Sequence, residues 1–142
     1  REKDLIASLA LKELLIRLTQ TQARDMLEKT YKELSSSNRL GHVVNFIKDN
    51  IRENIQLEEL ASQACMSKAH FLRTFKLELG LTPMEYVLKE RLKLARQYLL
   101  IGGFQIQEVC HMAGFNNITY FIRAFKQEYG VTPKSYQLGL KK

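Results

Sequence analysis

Helical periodicity runs through nearly the whole chain. Leu11, Leu14, Leu15 and Leu18 fall on one helical face, and Ala23, Leu27, Tyr31 and Leu34 on another. Polar Thr19-Gln20-Thr21-Gln22 parts the two stripes, so the spacing predicts two helices or one kinked helix. The Ser35-Ser36-Ser37-Asn38 run then reads as a linker that sets off the first forty residues. Val43, Val44, Ile47 and Ile51 predict a further helix from about Gly41 to Asn54. No stretch alternates apolar and polar positions for about six residues, as a half-buried strand does. The expected fold class is all-α.

From residue 57 the pattern repeats itself. Residues 71–86 and 121–136 agree at nine of sixteen positions: Phe71/Phe121, Arg73/Arg123, Phe75/Phe125, Lys76/Lys126, Glu78/Glu128, Gly80/Gly130, Thr82/Thr132, Pro83/Pro133 and Tyr86/Tyr136. Chance gives about one, so this is an internal repeat. Phe at i and i+4 puts both rings on one buried face, while the basic residues at i+2 and i+5 turn away. Glycine after the run supplies a left-handed helix stop, and Thr-Pro supplies the next helix's N-cap and first residue.

Upstream, the copies align at an offset of forty-nine, with Leu57, Leu60, Ala61 and Ala64 matching Ile106, Val109, Cys110 and Ala113. Each set is the apolar stripe of a short helix. The offset changes by one in the link, Cys65-Met66 against Gly114-Phe115-Asn116, because a turn absorbs an extra residue more readily than a helix. Ser67 and Asn117 then cap a longer helix. The unit is helix, tight turn, helix, written twice.

Charge changes the picture at one place. The net charge of +7 is a weak pointer to a polyanion and needs a site. The outward positions of the longer helices supply a candidate: Lys68, Ala69, Leu72, Arg73 and Lys76 in the first copy, and Ile118, Thr119, Ile122, Arg123 and Lys126 in the second. Neither helix face carries an acid. Basic donors mixed with small and apolar groups suit base edges, phosphates and thymine methyls in a major groove. The blander alternatives are that Arg73 and Arg123 are solvated surface arginines, and that Leu72 and Ile122 pack beneath a neighbouring helix.

GFNNITYFIRAFKQEYGVTPKSY resembles the signature of the AraC-type bacterial transcription regulators, and SKAHFLRTFKLELGLTPMEY followed by RLKLARQYLL resembles its first half. The resemblance covers roughly residues 41–138. It implies seven helices, with two helix-turn-helix subdomains (41–82 and 102–142) joined by a long helix over 83–101. It further implies sequence-specific binding to double-stranded promoter DNA, with RNA polymerase as a partner. Carried over by position, the base-reading residues are Lys68, Ala69, Leu72 and Arg73 in one unit, and Ile118, Thr119, Ile122 and Arg123 in the other. Lys76, Lys126 and the cap Asn117 complete the DNA-binding set. Many members have larger or more polar residues than Ala69 and Leu72, which leaves most of the direct readout in the first unit to Lys68 and Arg73. Cys65 stands where the second turn has the more usual Gly114, which puts that turn's backbone geometry in question. Residues 1–40 look like a helical connector from a sensor or dimerisation domain that this stretch does not include. A homodimer, if one forms, would use residues outside this stretch or at its N-terminus.

Other classes fit less well. Cys65 and Cys110 are too few for a disulfide framework and lack zinc-site spacing, so they read as reduced thiols, and His70 and His111 add no ligand pairing. No residue set calls for a cofactor. Gly102-Gly103 and the Ser, His and Asp residues do not follow a strand as catalytic or phosphate-cradling loops do. No run of about eighteen apolar residues offers a membrane span, and with no signal peptide the expected location is the cytoplasm, at the nucleoid. Lys89, Arg91, Lys93 and Arg96 read as a mixed solvated face of the connecting helix, with a structural role the alternative for Arg91, whose long stem can cover apolar surface. A helical protein-interaction module and a nonspecific architectural DNA binder remain the rivals.

Overall fold

The computed structural model describes residues 2–20 and 22–139, excluding the side chains of residues 2, 18, 19 and 22. The expected stripe residue Leu18 and the break residues Thr19, Thr21 and Gln22 therefore lie wholly or in their side chains outside the described residues. Among the described residues there are eight helices and no strand: α1 (Glu2–Gln20), α2 (Gln22–Asp49), α3 (Leu57–Gln63), α4 (Lys68–Leu79), α5 (Pro83–Ile101), α6 (Ile106–Met112), α7 (Ile118–Tyr129) and α8 (Pro133–Gly139). No helix among them is long and apolar enough to cross a membrane. The chain divides into two compact units, Arg1–Asn38 and Arg39–Lys142.

In the first unit, α1 and the start of α2 carry surface ion pairs one turn apart, Arg17 to Glu13 at 2.7 Å and Arg24 to Glu28 at 3.2 Å. Their apolar stripes are exposed, including Leu11, Leu14, Leu15, Leu27, Tyr31 and Leu34. The expected linker Ser35-Ser36-Ser37-Asn38 is instead helical and lies within α2. Serine and asparagine are only mildly unfavourable in a helix, and no proline interrupts this stretch.

The second unit holds two hydrophobic cores. The first gathers Leu40, Val43 and Ile47 of α2 with Ile55, Leu60, Ala61, Ala64, Phe71, Phe75 and Val87. Leu92, Ala95, Leu99, Val109, Cys110, Ala113, Phe115, Phe121, Ala124 and Phe125 form the second. Helix α5 serves both, giving Val87 to one and Leu92, Ala95 and Leu99 to the other. The repeated aromatics form matching edge-to-face ladders: Phe71, Phe75 and Tyr86 at centroid distances of 5.5 and 5.8 Å, and Phe121, Phe125 and Tyr136 at 5.9 and 5.7 Å. Buried Gln137 is satisfied by donating to the Phe104 carbonyl at 2.8 Å, which ties α8 to the loop before α6.

Helix α2 ends at Asp49, short of the expected Asn54. Asn50 donates from its side-chain amide to the Phe46 carbonyl at 2.9 Å, and beyond the helix end Arg91 donates to the carbonyls of Ile51 and Glu53. Arg91 is thus half-buried and structural rather than part of the solvated face, and it acts through hydrogen bonds rather than only through its stem.

Candidate nucleic-acid interface

Each longer helix starts at a side-chain cap. Ser67 Oγ accepts from the His70 amide at 3.3 Å, and Asn117 Oδ1 accepts from the Tyr120 amide at 2.9 Å. The Asn117 side-chain oxygen thus serves the cap, and its NH2 can reach outward. The turns before them share one backbone design: Met66 N donates to Ala61 O and Phe115 N to Cys110 O, each at 3.0 Å. Cys65 holds φ 53° and Gly114 φ 91°, so the cysteine takes up the left-handed turn despite its Cβ. The extra residue, Asn116, falls after this motif and before the cap. Burial raises the pKa of the Cys110 thiol, and its Sγ lies 3.7 Å from the Phe115 carbonyl, so it is a core residue of the second turn.

With Phe71 and Phe75 buried, α4 exposes Lys68, Ala69, Arg73 and Lys76, and Leu72 is half-buried. With Phe121, Ala124 and Phe125 buried, α7 exposes Ile118, Thr119, Arg123 and Lys126, following exposed Asn117. Ile122 is half-buried and packs on the second core, so the packing alternative holds for part of its surface.

Two features escaped the pattern of the helix faces. Lys68 Nζ pairs with Glu58 Oε1 of α3 at 2.8 Å, so an acid borders the first face from a neighbouring helix. The lysine's hydrogen bond and charge hold the Glu58 carboxyl below its ordinary pKa. Such an exposed pair contributes little. Arg123 stacks over the Tyr120 ring, 5.8 Å from its centroid. Tyr120 is itself exposed and stands three residues before Arg123, a spacing that could have marked it as part of the same face. On the connecting helix, Lys93 pairs with Glu90 at 3.0 Å and Arg96 lies over Tyr129 at 5.3 Å, consistent with a solvated mixed face.

Two capped helix-turn-helix units on one helical scaffold, with basic outer faces, define a DNA-binding module. Residues 60–138 match the family model described as a helix-turn-helix domain, of the AraC type. The chain belongs to this family, which comprises DNA-binding transcription regulators and not enzymes. It is 33% identical over 73 residues to the probable transcriptional regulator LumQ of Photobacterium leiognathi, covering 51% of this chain and 29% of that protein. It is 33% identical over 94 residues to the uncharacterized HTH-type transcriptional regulator YdeC of Bacillus subtilis, covering 66% of this chain and 32% of that one. The chain spans about a third or less of these curated relatives. Among solved structures, an AraC-type regulator from Chromobacterium violaceum superposes with a TM-score of 0.69 at 26% identity, over 75% of this chain and 96% of that one. The DNA-binding domain of AdpA, solved with a target DNA, gives a TM-score of 0.69 at 25% identity, over 72% and 92%.

Proposed function

We propose that this chain is the promoter-reading part of a sequence-specific regulator that inserts α4 and α7 into successive major-groove segments. In this reading Lys68, Ala69, Leu72, Arg73 and Lys76 meet one segment, and Asn117, Ile118, Thr119, Ile122, Arg123 and Lys126 the next. Helix α5 is the joint between them, and residues 1–40 connect to a sensor or dimerisation domain. The observation that carries the reading is the matched pair of capped helices, each burying two phenylalanines and turning Arg73 or Arg123 and a lysine outward. Arginine bidentate to guanine is the commonest specific major-groove contact. The exposed apolar stripes of α1 and α2 support a homodimer formed through the N-terminal stretch. RNA polymerase is the further partner, at promoters in the cytoplasmic nucleoid.

Selection of bound sequences from a random duplex pool, followed by footprinting, tests this. The expected outcome is an enriched site with two half-sites about 10 bp apart on one face, protected by a monomer. Enrichment of no sequence would favour an architectural binder, and no binding at all a protein-interaction module. A site that only a dimer can occupy would reject the two-helix arrangement.

A further inference from the structure

The two cores of the second unit share no residue, and clefts open along α5, which serves both. One, of about 480 Å³, separates Leu81 and the first half of α5 from Tyr120, Arg123 and Ala124 of α7. Another, of about 280 Å³, runs from Thr82 to Arg91, Phe115 and Tyr120. The ion pair across the larger cleft, Lys89 to Glu128 at 3.9 Å, is long and exposed, a kind of contact that contributes little.

Arg91 makes a different contact. Half-buried in the middle of α5, it donates from Nε to the Ile51 carbonyl at 2.9 Å and from a terminal nitrogen to the Glu53 carbonyl at 2.7 Å. The second turn is pressed against the same place. A Cβ on Gly114 would stand 2.5 Å from the Ile51 oxygen, 3.0 Å from Arg91 Nε and 3.1 Å from Arg52 Cα. Three segments therefore meet at one guanidinium: the exit of α2, which belongs to the first core, the joining helix, and the turn between α6 and α7.

We infer that Arg91 is a positioning residue. By clamping the Ile51 and Glu53 carbonyls against the Gly114 turn, it sets the angle between α4 and α7 and hence the half-site spacing the chain accepts. The inference rests on the proposal that both helices enter the major groove. Its physical basis is preorganisation. The second helix finds its half-site at an effective concentration that a loose joint would lower, with no contact to DNA changed. A planar fork with two fixed donors can hold two carbonyls in one geometry, and a lysine cannot.

The test uses Arg91→Lys and Arg91→Met on duplexes carrying the selected site, at native spacing and with one half-site shifted by about 1, 2 or 5 bp, the last putting it on the opposite face. Single half-site duplexes and thermal melts accompany each variant. In the wild type the second half-site should raise affinity by about 10²- to 10⁴-fold, falling steeply as the spacing departs from native. In the variants that gain should drop by about tenfold and the spacing profile should flatten, with single half-site affinity unchanged. A wild-type spacing profile in both variants would overturn the inference. So would equal losses on single and double half-sites together with a lower melting point, since Arg91 would then only hold the fold. If Arg91→Met does not melt cooperatively, Arg91→Lys decides alone, by its single half-site affinity and spacing profile. A wild-type chain that gained nothing from a second half-site would sink the two-helix reading, and this inference with it.

Discussion

Arg73 and Phe75 stand two residues apart on α4 and answer to different demands. Phe75 is fully buried between Phe71 and Tyr86, whereas Arg73 is exposed, and Phe125 and Arg123 repeat the contrast on α7. Arg73→Ala and Arg123→Ala should leave the melting temperature unchanged. Each should cost about 1 to 3 kcal/mol of DNA binding and relax preference at particular base pairs. Phe75→Ala and Phe125→Ala should cost about 3 to 5 kcal/mol of stability, and lose binding only through the loosened subdomain. Melts beside specific-to-random binding ratios separate the two kinds. Arg123 carries the sharper test, because its stacking on Tyr120 gives it a structural alternative. Arg123→Ala melting as low as Phe125→Ala with specificity intact would make it structural.

At the scale of the element, the punctuation between helices is built from interlocking caps. Thr82 Oγ1 accepts from the Glu85 amide at 3.3 Å while Glu85 Oε2 accepts from the Thr82 amide at 2.8 Å, and Pro83 fills the first turn between them. The hydrogen bond from the Thr82 backbone foremost, and then one from the Thr82 side chain, hold the Glu85 carboxyl below its ordinary pKa. A carboxylate whose pKa is lower in the folded chain than in the unfolded one stabilises the fold fully above the unfolded pKa, and this is lost as pH falls through the folded value. Between neutral pH and the acid side of the usual glutamate range, the wild type should therefore lose stability more steeply than Glu85→Gln, which keeps a capping acceptor without the charge. Parallel denaturant titrations across that range check this. Equal slopes would mean that the cap holds as well with the carboxyl protonated.

At the scale of the molecule, binding should be dominated by phosphates. If about six to eight basic side chains and helix N-termini meet the backbone, log affinity should fall with log salt at a slope of roughly −5 to −7. Binding isotherms over a salt series measure it, and a flat dependence would argue for a protein partner. The Lys68–Glu58 pair moderates the expectation, because DNA must displace a carboxylate already on that lysine.

The sequence by itself determined the elements and their order. Helix periodicity, capping and the Gly-Thr-Pro punctuation are local, so the offset-forty-nine and offset-fifty alignments translate directly into α3 with α6 and α4 with α7. The outward faces were legible except at half-buried Leu72 and Ile122, because burying Phe71 and Phe75 leaves Arg73 only one side to occupy. The serine run falls at the division between the two compact units, as read, but no strong breaker stands within it, and a helix runs through in place of a loop. Only the tertiary structure decided what the exposed residues face and how the halves are joined. Glu58 reaches Lys68 from ten positions away, and Arg91 finds its two carbonyls forty and thirty-eight positions upstream. No periodicity encodes such meetings. They depend on how α2, α5 and the second turn pack, and that packing makes Gly114 a steric necessity where Cys65 suffices at the matching position of the first turn.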